Sequence, residues 1–302
     1  MQPHDIPDLE TKKPILLAGI VKREGQRVAF ETCRNAMALD CALSTNASTA
    51  SNANTGRASV STSRSLWGRK QVELYPLAIS GLTRFSSVDY PGHIAAVVFC
   101  QGCPWRCAYC DSLSLLSATR ENIMSWHEIV DWLDIRSGLI EAVVFRGGEP
   151  LLQRGLAGAM WQVREMGYRV ALYTAGIYPD RLVGVMPLVD WICFDVKAAF
   201  CDYQRVTGAE NGNAPQRALS FVLASGKPCE IRCTVDETLL SIEDMGRMAR
   251  QISEMGVRRL VLQPRRGSEG KTSPISPEIL DVIAPWIPLV EQRASSDVAS
   301  LR

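Results

Sequence analysis

From residue 67 onward, short apolar runs alternate with longer stretches in which apolar residues recur every three to four positions. Residues 94–99, 141–145, 169–173, 190–196, 230–235 and 258–263 are the short runs. Their length and continuity predict strands buried on both faces. The stretches between them predict helices. Ser125 is an N-cap with Glu128 as its capping-box partner, and that helix runs to about Arg136 with Ile129, Trp132 and Leu133 on one face. Further helices are expected over 153–166, after Pro179, over 214–224 and 242–255, and after Pro277, three of them stopped by Gly167, Gly226 and Gly256. Ahead of the first run, 79–83 and 85–88 read as a short leader, and Asp89-Tyr90-Pro91-Gly92 as a turn. Six strands, each followed by a helical segment, imply a parallel sheet with right-handed crossovers. Six units are too few to close an eight-stranded barrel. The expected fold is therefore α/β, a partial (βα)6 barrel with an open side, its chemistry at the carboxyl ends of the strands.

The first part of the chain differs. Residues 44–65 are rich in Ser, Ala, Asn and Thr and nearly free of large apolar residues, so they cannot bury much surface. Residues 1–66 are expected to be a largely disordered N-terminal extension, with 67–302 as the catalytic domain. A short helix or strand pair within 15–43 has no assignable role. Composition narrows the rest. A net charge of +1 and 46% hydrophobic residues suit one sizeable core and give no sign of a nucleic-acid or membrane partner. No apolar run reaches the roughly 18 residues of a membrane span, and 15–21 is short and lacks a convincing cleavage site for a signal peptide, so a cytoplasmic location is expected. Ten cysteines in 302 residues point to metal ligands rather than a disulfide scaffold. With only His4, His93 and His127, chemistry built on histidine pairs is poorly supplied.

Chemistry-bearing residues gather at one end of the expected strands. Cys103, Cys107 and Cys110 follow the first, Gly147-Gly148-Glu149-Pro150 the second, and Thr174-Ala175-Gly176 the third. Asp195 and Lys197 end the fourth, Arg232 lies in the fifth, and Gln263 ends the sixth. A chance scatter would put about half at the other end. Three thiolates spaced CxxxCxxC on one loop can hold three irons of a four-iron cluster and leave the fourth open to a substrate. If Cys100 were a fourth ligand, the site would be closed, as in structural zinc. Zinc sites, however, usually separate their cysteine pairs by about a dozen residues or more. Inert core cysteines are the plainest alternative. The glycines are either a turn or a close backbone approach. Asp195 and Lys197 alternate on a strand and so share a face, as a polar floor or as a structural ion pair. Tyr109 and Arg232 read equally as packed residues. Cys33, Cys41, Cys193, Cys201, Cys229 and Cys233 are expected to be small buried hydrophobes.

The cysteine spacing, with an aromatic just before the last cysteine, resembles the signature of the radical S-adenosylmethionine (SAM) superfamily. Residues 82–111, LTRFSSVDYPGHIAAVVFCQGCPWRCAYCD, are similar to the activating enzymes of glycyl-radical enzymes. They most resemble the activating proteins of anaerobic (class III) ribonucleoside-triphosphate reductases. FRGGEPLLQ, FDVKA, YQRVTG, EIRCTV and VLQPRR support the resemblance, which spans about 75–286.

The resemblance implies that a 4Fe–4S cluster on Cys103, Cys107 and Cys110 reductively cleaves SAM, and that the 5′-deoxyadenosyl radical takes hydrogen from a glycine of a partner. Gly147, Gly148 and Pro150 would admit the methionine end of SAM, with Glu149 accepting from its ammonium. Tyr109 would wall the adenine. Asp195, Lys197 and Arg232 would line the SAM site. Asp89 would lie near the partner's glycine loop. A monovalent cation beside the SAM carboxylate would be held by Thr174, the Cys193 carbonyl and Asp195. The reductant would be a flavodoxin or ferredoxin. Two positions depart from the pattern: Tyr173 stands where many relatives have aspartate, and Asp111-Ser112 where many have His-Asn. Aspartate at 111 resembles 7-carboxy-7-deazaguanine synthases, radical SAM enzymes acting on a small pterin, and these are the alternative. A non-catalytic iron–sulfur electron carrier is a third reading, though it needs neither an open iron nor GGEP.

Overall fold

The computed structural model describes residues 75–110, 112–117, 124–266, 272 and 274–293. The chain separates into two units between Thr55 and Gly56, and the first lies wholly outside the described residues. So do the expected extension over 1–66, the helix or strand pair within 15–43, the domain start at 67, Cys33, Cys41 and Asp111.

Eight strands form one sheet in the order of the sequence. They are β1 (Ile79–Ser86), β2 (Ala95–Cys100), β3 (Ala142–Gly147), β4 (Arg169–Thr174), β5 (Trp191–Val196), β6 (Cys229–Val235), β7 (Arg259–Pro264) and β8 (Leu289–Gln292). β1 runs antiparallel to β2, and every later pairing is parallel. No pairing among the described residues joins β1 to β8, so the barrel is not closed. The six expected strands are β2 to β7. The leader is a single edge strand, and β8 adds a second edge that no apolar run announces.

The helices are α1 (Trp126–Asp134), α2 (Leu156–Glu165), α3 (Pro179–Val185), α4 (Tyr203–Thr207), α5 (Asn213–Ala224), α6 (Ile242–Glu254) and α7 (Pro277–Ile283). The α1 capping box forms as its sequence predicts: Ser125 Oγ accepts from Glu128 N, and Glu128 Oε2 accepts from Ser125 N at 2.7 Å. None of the described helices is long and apolar enough to cross a membrane.

Strand alternation builds two cores. On the helix-facing side, Val98, Cys100, Phe145, Leu172 and Phe194 pack with Ile129, Met160, Leu219 and Met248. On the inward side, Ala95, Val97, Phe99, Ala142, Val144, Ala171, Tyr173, Trp191 and Cys193 form a separate buried cluster with Tyr90 and Leu115. Ala95 and Ala142 open β2 and β3, and Ala171 lies within β4, small side chains in the same cluster as large rings. Tyr90, from the turn after β1, stacks on Trp191 with centroids 5.5 Å apart. That turn closes with His93 N donating to Tyr90 O at 3.0 Å, and Gly92 supplies the positive φ of +79° that follows Pro91. The amino end of the lumen is thus filled, and the free space lies at the carboxyl end.

Candidate active site

The cysteine loop begins where β2 ends, and three segments strap it through backbone hydrogen bonds. Gly148 N donates to Cys100 O and Glu149 N to Gly102 O, both at 2.9 Å. Gly102 N donates to Leu115 O at 2.7 Å, while Arg106 N and Ala108 N reach Thr207 O and Val206 O at 2.9 Å. The YQRVTG run therefore has a local purpose: it forms α4, whose carbonyls hold the loop. Trp105 meets the Tyr203 ring edge-on at 5.7 Å, and Tyr203 Oη accepts from Lys197 N at 3.2 Å. Neither aromatic was singled out by sequence reasoning. Their aromatic character is the signal, but their pairing crosses the fold.

A cavity of about 170 Å³ opens at the carboxyl ends of β3 to β7 beneath this loop. Cys103, Cys107 and Cys110 line it, together with Tyr109, Gly147, Gly148, Glu149, Thr174, Asp195, Lys197 and Arg232. One wall therefore gathers residues 103 to 232. Pro150 is buried in the short 3-10 turn that follows Glu149 and does not line the cavity. Cys100 is fully buried on the helix-facing side, and burial pushes its thiol well above the ordinary value. Burial likewise lifts Cys103, to about 11. Among the described residues, no three His, Cys, Asp or Glu side chains close on one ion-sized point. A tetrahedral zinc needs such a point; thiolates that each take a different iron do not. Of the other described cysteines, Cys193 and Cys233 are buried as expected, Cys229 is half-buried, and Cys201 is exposed.

The glycines are there for close approach. A Cβ on Gly147, whose φ is +118°, would stand 2.6 Å from Cys100 O. A Cβ on Gly148 would fall inside contact with the Gly102 carbonyl. Glu149 is 1% exposed. Its carboxylate accepts from Thr174 Oγ1 at 2.8 Å, Leu151 N at 3.1 Å and Ala175 N at 3.1 Å. Burial lifts this carboxyl to about 7, although those three donors pull it down. A cationic ligand would relieve that burial cost.

Asp195 and Lys197 both face the cavity, as period-two alternation requires. Burial would raise the Asp195 carboxyl, but the Arg232 guanidinium and Lys197 ammonium outweigh it and hold it below the usual range. Arg232 grips it as a fork, Nε to Oδ1 at 2.7 Å and Nη2 to Oδ2 at 3.0 Å, with Lys197 Nζ 3.7 Å from Oδ2. Lys197 Nζ also lies 5.7 Å from the centre of the Tyr109 ring. Asp89 is not part of the cavity wall. It is 0% exposed, accepts from Ser86 Oγ at 2.5 Å, and pairs with Arg146 Nη1 at 2.6 Å. Arg146 does line the cavity, and it lies over the Tyr173 ring at 4.8 Å. Its inward face follows from alternation with Ala142 and Val144. Its pairing with a residue 57 positions away is invisible in sequence.

These residues suit the cluster and SAM on three counts. The donor set is three thiols on one loop and one cavity wall. The two glycines leave room that a Cβ would fill. Three buried polar atoms in the wall, Tyr109 Oη, Arg232 Nη1 and Gln263 Oε1, have no hydrogen-bond partner and would gain one from a polar ligand.

Glu149 yields a prediction. Glu149→Ala should weaken SAM binding by roughly 1.5–3 kcal/mol, the worth of a hydrogen bond to a charged group. It also strands the Thr174 hydroxyl and two backbone donors, so its thermal midpoint should fall. Glu149→Gln keeps an acceptor and should fall less in both. Equilibrium SAM binding and thermal unfolding of the three proteins decide it; unchanged SAM affinity in Glu149→Ala would remove Glu149 from the site.

Comparison with known proteins agrees with this geometry. The sequence profile described as the radical SAM superfamily matches residues 97–235. A putative glycyl-radical enzyme activating enzyme of Methanocaldococcus jannaschii is 27% identical over 184 residues, 58% of this chain and 75% of that protein. A 7-carboxy-7-deazaguanine synthase of Thermococcus kodakarensis is 30% identical over 118 residues, 32% of this chain and 46% of its own. The crystal structure of a radical SAM methyltransferase from Sphaerobacter thermophilus superposes with a TM-score of 0.53 at 17% identity, covering 75% of this chain and 81% of that one. That likeness speaks to the fold alone. With a sheet that is parallel from β2 to β8 and not closed, three cysteines on the loop after β2 and GGEP at the end of β3, residues 97–235 form a domain of the radical SAM superfamily.

Proposed function

We propose that this enzyme activates a glycyl-radical enzyme by removing one hydrogen atom from a glycine of that partner. The partner is most simply an anaerobic ribonucleoside-triphosphate reductase, and the electron comes from a flavodoxin or ferredoxin in the cytoplasm. Cys103, Cys107 and Cys110 would hold a 4Fe–4S cluster, and the GGEP turn, Tyr109, Thr174, Lys197 and Arg232 would hold SAM. Bound there, cluster and SAM supply one-electron reductive cleavage and a carbon-centred radical. The chain's own residues have to exclude water and present one C–H bond to it. The observation that carries the reading is the open sheet, which, among the described residues, leaves one side of the lumen without a closing strand pair. A polypeptide loop needs such an opening, and glycine, lacking a side chain, needs the least room. The Methanocaldococcus jannaschii relative, matched over 75% of its length, supports the same choice.

Asp89 would then act through Arg146 as a positioning residue, since its own carboxylate is sealed below the cavity. Asp89→Ala is expected to leave SAM affinity within about threefold and to slow partner activation by about tenfold or more, each tenfold being about 1.4 kcal/mol. Equilibrium SAM binding and a partner-activation assay on the same preparation measure both. A large loss of SAM affinity would overturn this division of labour.

A second reading has its own support. Arg146, Lys197, Arg232 and Arg266 all line the cavity, against Glu149 and Asp195. That excess of positive charge also suits a small carboxylated substrate, as in a 7-carboxy-7-deazaguanine synthase. Turnover of a carboxylated pterin without partner activation would favour it.

A further inference from the structure

We infer that this chain carries its own cation beside the methionine end of SAM: the Arg232 guanidinium, fixed by Asp195, takes the place of a monovalent ion. The inference rests on membership of the radical SAM superfamily and not on the choice of partner. The side chains expected to hold an ion here do not suit one. Both Asp195 oxygens are already occupied by the Arg232 fork, and Lys197 Nζ lies 3.7 Å from Oδ2. An ion added to that carboxylate would meet two fixed positive charges and replace neither. Thr174 Oγ1 donates to Glu149 at 2.8 Å and accepts from Gly176 N at 2.9 Å, so it keeps one lone pair and is a single neutral donor for an ion. Tyr173 brings no charge to the position where an acid is expected. Its hydroxyl donates to Asp89 O at 2.8 Å, and its ring faces the guanidiniums of Arg146 at 4.8 Å and Arg232 at 5.1 Å. The aspartate-to-tyrosine departure and the arginine fork thus belong together: an aromatic face carries a guanidinium where an acid would carry an ion.

Arg232 also has the means to do the ion's work. It is 5% exposed and lines the cavity, and its Nη1 has no hydrogen-bond partner. Asp195 engages the opposite side of the fork, so Nη1 is held in one orientation. A buried guanidinium N–H of this kind calls for an anionic acceptor, and the carboxylate of the SAM methionine is of that chemistry.

The test uses full-length protein, reconstituted anaerobically with its cluster. SAM binding is measured by equilibrium dialysis in choline, sodium or potassium chloride at one ionic strength. The dissociation constant should agree within about twofold across the three salts, since ionic strength is held fixed. Arg232→Met removes the fork and should weaken binding by roughly tenfold to a hundredfold. Sodium or potassium should then recover about threefold or more of the loss, because Asp195 has lost its main counter-charge. Should that variant fail to retain its cluster, Arg232→Lys keeps the charge without the fork, with a smaller loss expected and still no salt dependence. Wild-type binding that tightens about tenfold or more in sodium or potassium overturns the inference. So does an Arg232→Met protein that binds SAM like wild type. No partner is present in the assay, so failure here is distinguishable from failure of the activase reading.

Discussion

Replacing Cys103, Cys107 or Cys110 with serine is expected to reduce SAM cleavage to background, while Cys100→Ser remains active. All four sulfurs lie within eleven residues, yet they differ in two physical respects. The three line the cavity, on a loop strapped to the GGEP turn, to residues 115–116 and to α4. Cys100 closes β2 and faces the helix layer among Val98, Phe145 and Leu172, at 0% exposure. Coordination arithmetic then sets the outcome. Three thiolates would leave one iron for SAM, and losing any of them would break the set. A fourth would leave none. Cys100→Ser instead puts a hydroxyl in an apolar site, at a stability cost of roughly 1–3 kcal/mol if it finds no partner. Its thermal midpoint should drop while iron, sulfide and 5′-deoxyadenosine formation persist after anaerobic reconstitution. A Cys100→Ser protein that lost its iron while Cys103→Ser kept it would reverse the assignment.

Gly148→Ala should have the next largest effect. The added methyl would fall inside contact with the Gly102 carbonyl, a backbone group that cannot swing aside. Relief requires the cysteine loop and the GGEP turn to part. That movement breaks the bonds from Gly148 N to Cys100 O and from Glu149 N to Gly102 O. Two such buried bonds at about 1–3 kcal/mol each are a stability loss of roughly 2–6 kcal/mol, and SAM affinity should fall by about tenfold or more as loop and turn separate. Gly184→Ala is the control. That position lies in α3 with nothing within 4 Å of an added Cβ, so it should bind SAM normally and be slightly more stable. Near-normal SAM binding by Gly148→Ala would mean that the loop and turn are not held together as described.

What was legible in the sequence follows from how local each signal is. β2 to β7 announced themselves because strands buried on both faces are continuous apolar runs. β1 reads as two pieces in the sequence because Arg84 and Phe85 are exposed and interrupt its apolar pattern. β8 leaves no signal in the sequence because it is a four-residue edge strand, LVEQ, without a fully buried position. α4 has only five residues, too few for a helical period to show. In the site, period-two alternation placed Asp195 and Lys197 on one face. The partner that dominates Asp195 is Arg232, 37 residues away and adjacent only through the β5–β6 register. The role of Arg146 is hidden for the same reason: alternation points it inward, but nothing local says that Asp89 lies beneath it. Asp89 itself stood out by resemblance, and only the packing shows its carboxylate sealed by Ser86 and Arg146.

The most direct test of the central claim is electron paramagnetic resonance of the partner. The cluster-loaded protein is reduced and mixed anaerobically with SAM and a glycyl-radical enzyme of the ribonucleotide reductase type. The expected result is a stable glycyl radical on the partner, seen as a doublet from the one remaining α-hydrogen, whose splitting collapses when the partner's glycine is deuterated. No glycine-derived signal from any candidate partner, together with turnover of a carboxylated pterin by the same preparation, would contradict the account.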